Sequence, residues 1–124
     1  MFHHIAIYVK DYEKSKKFYT EVLKTIGYEL NADYGVYCGF NNFKFGIAQA
    51  KENNITKSHI AFIANNKEEV DRFYQKALEL GAKDNGKPGI REQYIREEYG
   101  NGNNYYAAFV YDYDGNNIEI VFDK

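Results

Sequence analysis

The feature that most constrains this chain is that it repeats itself. His4-Ile5-Ala6 recurs as His59-Ile60-Ala61, an offset of 59 − 4 = 55, and internal repetition of this kind signals a unit that must stack on its own copy to complete a core. The same offset carries Glu13 onto Glu68, Phe18-Tyr19 onto Phe73-Tyr74 and Leu23 onto Leu78, while Gly27 meets Gly81 after a one-residue gap. Each copy opens with a short apolar strand, Ile5 to Val9 or Ile60 to Ala64, and then switches to helical periodicity. The spacing of Phe18, Tyr19, Val22, Leu23 and Ile26 predicts a helix from Tyr12 to Ile26, capped by Asp11 and stopped at Gly27. Val70, Phe73, Tyr74, Ala77 and Leu78 predict its counterpart from Lys67 to Leu80, with Asn66 and Glu69 as a capping-box-like start and Gly81 as the stop.

Three strands are expected after each helix. They are Tyr28 to Ala32, Val36 to Phe40 and Phe43 to Ala50, then Gly89 to Arg96, Tyr105 to Tyr111 and Asn117 to Phe122, with Asn41-Asn42 and Tyr113-Asp114-Gly115 as hairpin turns. The fold class is therefore α+β: two paired βαβββ modules in one domain spanning 1–124, module one 1–54 and module two 55–124. They are expected to form a curved eight-stranded mixed sheet with a cup-shaped site and both helices outside. The 124 residues suffice for one compact core.

Strand parity then assigns chemistry. Ile5, Ile7 and Val9 point one way and His4, Ala6 and Tyr8 the other. With the aliphatics under the helix, His4 falls on the concave face, and His59 and Ala61 occupy the same place in the second copy. Ile118, Ile120 and Phe122 alternate with Asn117, Glu119 and Val121, so Glu119 also leaves the apolar face. Two imidazoles and a carboxylate are donors suited to a divalent metal with open positions for ligand and water. A strand histidine more often makes an ordinary hydrogen bond, but two of the three histidines of this chain hold the same site of a duplicated unit.

At these residues the sequence resembles the vicinal oxygen chelate superfamily, which includes glyoxalase I, bleomycin-resistance proteins, fosfomycin-resistance enzymes and extradiol dioxygenases. The resemblance covers essentially the whole chain. It rests on His4-Ile5-Ala6-Ile7-Tyr8-Val9 with Asp11, Ser15 and Phe18-Tyr19, on Ser58-His59-Ile60-Ala61-Phe62, and above all on the run from Tyr105 through Asp112-Tyr113-Asp114-Gly115 to Glu119. It implies metal ligation by His4, His59 and Glu119, with Glu119 doubling as a catalytic base. Laying Phe45-Gly46-Ile47 over Ile118-Glu119-Ile120 puts Gly46 where glyoxalase I carries a fourth, glutamate ligand, leaving space beside the metal. The extradiol enzymes use a further histidine, and His3 lies on the wrong parity to supply it.

The implied function is that of a divalent-metal-dependent enzyme of lyase, isomerase or dioxygenase type. It would act on a small oxygen-rich molecule by chelation and stabilisation of enolate or alkoxide charge, with Zn, Ni, Mn or Fe equally suited to the ligands. The alternative is a metal-free protein that sequesters a small molecule or antibiotic. Arg91, in Pro88-Gly89-Ile90-Arg91, is a candidate for holding a carboxylate or phosphate. If Gly115 is left-handed in a three-residue loop, Phe109 sits opposite Glu119 and shares its face with Tyr111, making both candidate ligand contacts; Tyr94, Tyr105 and Tyr106 are further lining candidates. The run from Gly100 to Asn104 is read as a turn with the makings of a lid.

Other features exclude rather than assign. Sixteen basic against eighteen acidic side chains give −2, so neither nucleic acid nor an anionic membrane is an expected partner. No apolar run approaches the roughly 20 residues needed to span a bilayer. Cys38 is the only cysteine and reads as a core residue, which with the absence of an ordinary secretory signal suggests a cytoplasmic home. A homodimer is the expected assembly.

Overall fold

The structure is a computed structural model that describes residues 1–95 and 104–123. The chain divides into two compact units, Met1–Lys57 and Ser58–Lys124. Residues just before the boundary stay with the first unit because Thr56 is tied to its first strand: the Tyr8 amide donates to Thr56 Oγ1 at 2.8 Å and the Thr56 amide to the Tyr8 carbonyl at 2.9 Å.

The first unit comprises β1 (Ile5–Val9), α1 (Tyr12–Lys24), β2 (Leu30–Asp33), β3 (Tyr37–Phe40) and β4 (Phe45–Gln49). Its strands form one mixed sheet in the order β1-β4-β3-β2, with β1 parallel to β4 and the other pairs antiparallel. The second comprises β5 (His59–Ile63), α2 (Lys67–Glu79), β6 (Lys83–Ile90), β7 (Tyr105–Tyr111) and β8 (Asn117–Asp123). Its order, β5-β8-β7-β6, reproduces the first position for position. The α+β class and the repeated βαβββ module are thus as expected, with the hydrogen-bonded strands grouped as two sheets of four.

Both helices start where the caps predict. Asp11 accepts the Lys14 amide and Asn66 accepts the Glu69 amide; the Glu69 carboxylate reaches back one residue further than the usual box, to the Asn65 amide. Left-handed Gly27 (φ 82°) and Gly81 (φ 98°) follow the ends, although helical geometry stops at Lys24 and Glu79, short of Ile26 and Leu80. The predicted stripes are buried except at Tyr74 and Leu78, which stay half-buried: Phe18, Tyr19, Val22 and Leu23 lie with Ile7, Val9, Cys38 and Ile47 in the core of the first unit. In the second, Val70, Phe73 and Ala77 lie with Ile118, Ile120 and Val110 in the core. Each fully buried large side chain contributes about 1.5–3 kcal/mol over its exposed state, so helix docking outweighs intrinsic propensity. Ile5 departs from the expected pattern, remaining exposed at the first position of β1.

One strand lies elsewhere than expected. The sequence suggested Gly89 to Arg96, but β6 runs over Lys83–Ile90 and is followed by a short 3-10 turn, Glu92–Tyr94. A segment carrying Gly86, Pro88 and Gly89 reads as a loop, yet β6 is an edge strand whose outer N–H groups need no partner, and its pairing with β7 absorbs the irregularity in register shifts at Gly86. Arg96 and Gly100 to Asn103, with the lid reading attached to that run, lie outside the described residues. No described helix is long and apolar enough to cross a membrane.

Candidate functional site

The second unit gathers most of the candidates on the sheet face opposite its helix. The β7–β8 hairpin turns as the three-residue reading required: Gly115 is left-handed (φ 88°) and Phe109 pairs directly with Glu119. Tyr111 lies on the same face, opposite Asn117, which is in turn the register partner of His59 across β8. Glu119 is only 3% exposed, and a carboxylate withdrawn from water needs strong compensating partners. It has two, for its Oε1 lies 2.9 Å from His59 Nε2 and its Oε2 accepts the Tyr105 hydroxyl at 2.5 Å. The His59 side chain stays more than half exposed, so the pair has one buried and one open end. Burial, reinforced by the Glu119 carboxylate, pushes the Tyr105 phenol well above its usual range. Tyr105 remains a neutral donor to the carboxylate.

The Phe109 ring centroid lies 6.2 Å from that of His59, and its face carries the Arg91 guanidinium at 5.4 Å. Tyr105 also borders a pocket of about 430 Å³ that continues past Ile63, Val121 and Asp123. Of the lining candidates, Tyr94 packs its ring against Tyr105 at 5.2 Å, tilted by 59°. Tyr106 has the opposite parity and donates to Asp71 of α2 at 2.7 Å, which pushes its phenol up to about 12; it belongs to the helix side.

Buried hydrogen bonds within the β7–β8 turn place His59. Asp112 Oδ1 accepts the amides of Asp114 and Asn116, and Asp112 Oδ2 accepts the Asn116 side-chain amide at 2.9 Å. Asn116, with no exposed surface, presents its Oδ1 to the Ser58 amide at 2.7 Å, and the Asn117 amide donates to the Ser58 carbonyl. The residue before His59 is therefore clamped to the hairpin that carries Glu119. The signal was present in Asp112 and Asn116 flanking Tyr113-Asp114-Gly115, since such side chains bond their own turn.

In the first unit, register locates the fourth slot. Ala61 pairs with Glu119 and Ala6 pairs with Gly46; because 61 − 6 = 55, Gly46 is the counterpart of Glu119, as the overlay proposed. The expected space is not empty. A Cβ on Gly46 would collide with the Tyr37 hydroxyl, whose ring covers the glycine. Gly39, the counterpart of Phe109, is likewise covered by the Phe43 ring. His4 lies one residue ahead of β1, where strand parity no longer governs, and its Nδ1 is 3.0 Å from that of His3. Within either unit, no three described His, Cys, Asp or Glu side chains form a metal-binding group.

The donor chemistry of the His59–Glu119 pair nonetheless fits a metal. An imidazole and a carboxylate brought together, one open to solvent, are donor types that a divalent ion takes. With Oε2 held by the Tyr105 hydroxyl, Oε1 is the oxygen that would face a bound ion.

A duplicated βαβββ unit with a histidine on the first strand and a carboxylate on the last of its second copy defines a class, and comparison with known proteins agrees. The model of the Glyoxalase/Bleomycin resistance protein/Dioxygenase superfamily matches residues 1–120, and the chain belongs to that superfamily. Among its relatives, the uncharacterized protein YqjT of Bacillus subtilis (strain 168) is 33% identical over 131 aligned residues, covering 96% of both chains. A glyoxalase/bleomycin resistance protein from Albidiferax ferrireducens T118 superposes with a TM-score of 0.81 at 25% identity, covering 100% of this chain and 99% of that one. The fosfomycin resistance protein FosX from Listeria monocytogenes, solved with Mn(II) and sulfate, shares the fold with a TM-score of 0.69 at 20% identity, covering 100% and 90%.

Proposed function

We propose that this protein is a divalent-metal-dependent enzyme of lyase, isomerase or dioxygenase type acting on a small oxygen-rich molecule, with His4, His59 and Glu119 as ligands. The observation that carries this reading is the convergence of His59 and Glu119 on one face, the carboxylate buried and the imidazole open. Membership in the superfamily, the Mn(II) in the FosX structure and the repeat of His59 at His4 support it. The chemistry such an ion supplies is Lewis-acid stabilisation of enolate or alkoxide charge on vicinal oxygens of the ligand. Around it, His59 and Glu119 orient the reacting group, Tyr105 holds the second carboxylate oxygen, and Phe109 excludes water from the buried side. Glu119 is the group that takes and returns a proton, and Tyr111, on the same face, contributes to the ligand wall. The assembly we assign is a homodimer, to be checked by light scattering.

Protein purified without an affinity tag should contain stoichiometric metal by elemental analysis, and His4→Ala, His59→Ala and Glu119→Ala should each lose most of it. Unchanged content in all three variants would overturn the assignment. One observation favours a metal-free binding protein instead: the Tyr105–Glu119–His59 chain already satisfies the buried carboxylate. Wild type that folds without metal and still binds small molecules at this face would select that reading.

A further inference from the structure

Arg91 is a cation built into the sheet. Its Nη1 donates to the Gly89 carbonyl at 2.9 Å and its Nη2 to the Lys87 carbonyl at 2.6 Å, while the guanidinium lies over the Phe109 ring. The strand makes room for it. A Cβ on Gly89 would come within 3.2 Å of Nη1, and one on Gly86 within 3.1 Å of Nη2 and 3.0 Å of Phe109. Gly86 moreover holds a backbone conformation (φ 152°) that side chains rarely adopt. Two glycines, two carbonyls and an aromatic face thus fix one guanidinium, yet no described carboxylate pairs with it. Two of its five N–H groups are used by those carbonyls, and among the described residues nothing takes the other three. A staple for the strand would need only the two carbonyl bonds.

The geometry points to Arg91 as the oxyanion-binding residue of this face, so that the ligand carries a carboxylate or phosphate held by the guanidinium beside Phe109. A fixed planar donor fork is the group suited to such anions, and prior immobilisation lowers the entropic cost of using it. This deepens the enzyme reading by naming the substrate class and rests on it only for the location of the reacting group.

The test uses the full chain treated with EDTA, so that no metal competes for the anion. Benzoate, phenyl phosphate and uncharged benzamide are titrated by nuclear magnetic resonance, following the Arg91 side-chain and Phe109 signals. Either or both anions should bind about tenfold more tightly than benzamide, and whichever binds more tightly identifies the oxyanion. Arg91→Gln should abolish the preference, and Arg91→Lys, which keeps the charge without the fork, should retain part of it. Equal affinity for all three probes, no binding by any, or an anion preference that survives in Arg91→Gln would overturn the inference. If Arg91→Gln does not fold, the wild-type and Arg91→Lys titrations decide, equal anion affinity in those two removing the role of the fork. Absence of metal from the protein as purified, before EDTA, together with a retained, Arg91-dependent preference would refute the metal reading and leave this one standing.

Discussion

The two units were built from one plan and specialised in opposite ways. In the second, the residue paired with Ala61 is Glu119, and the sheet face around it is polar and connected: Tyr105 and His59 on the carboxylate, Phe109 beside them and Arg91 above. In the first, the residue paired with Ala6 is Gly46, and aromatic rings close over it and over Gly39. The turns diverge in parallel. Asp112 and Asn116 knit the β7–β8 hairpin from within, whereas the β3–β4 hairpin relies on left-handed Asn41, Asn42 and Phe43. Duplication supplies two equivalent frames, and a single side chain at one register position decides which holds a carboxylate.

The largest effect that could break this comparison is in the turns. Asp112→Ala leaves three donors without their acceptor in a buried place and should cost about 3 kcal/mol in urea unfolding, against about 1 kcal/mol for Asn42→Ala, where only a left-handed conformation becomes harder to hold. Equal costs would show that the two hairpins are held in the same way. Next, Glu119→Ala, which strips Tyr105 and His59 of their shared acceptor, should destabilise by about 2 kcal/mol. Its mirror image is Gly46→Ala, expected to cost about 1–2 kcal/mol because Tyr37 must move. That cost should largely vanish in a Tyr37→Ala background, and a double-mutant cycle without coupling would mean that the ring does not constrain Gly46.

Smaller effects concern pH. Tyr105→Phe should cost about 1 kcal/mol at neutral pH. Because the folded-state pKa of Tyr105 is raised above its ordinary 10.0, its contribution is intact below that value and is lost as pH climbs above it. Alkaline melts should therefore fall less steeply in the phenylalanine variant. The first unit has the opposite dependence. Asp33 accepts from Lys16 and the Tyr12 hydroxyl, and chiefly the Lys16 bond holds its carboxyl well below the ordinary 3.8. Its contribution is present above that value and fades as pH falls below it, so Asp33→Asn should flatten the acid limb slightly, the effect being muted by exposure to solvent.

How much of this was legible differs by element. The βαβββ repeat, both helix starts and the parity of Glu119 against Phe109 could be read from the chain, because caps, apolar spacing and a Tyr-Asp-Gly turn act over a few residues. The position of β6 could not, since Gly86, Pro88 and Gly89 look like a loop until their place at a sheet edge is known. The site was legible in its parts and not in its connections. His59, Glu119, Phe109 and Arg91 were each singled out, but the Tyr105 hydroxyl on Glu119 spans 14 positions of sequence and the Asn116 clamp on Ser58 spans 58. The sequence by itself determined the duplicated frame and the shared face of Phe109, Tyr111 and Glu119, for those follow from local periodicity. Only the tertiary structure decided that Tyr37 fills the slot opposite Ala6, that Glu119 is shared by an imidazole and a phenol, and that Arg91 lacks an acidic partner among the described residues, because each depends on strand register bringing distant side chains into contact.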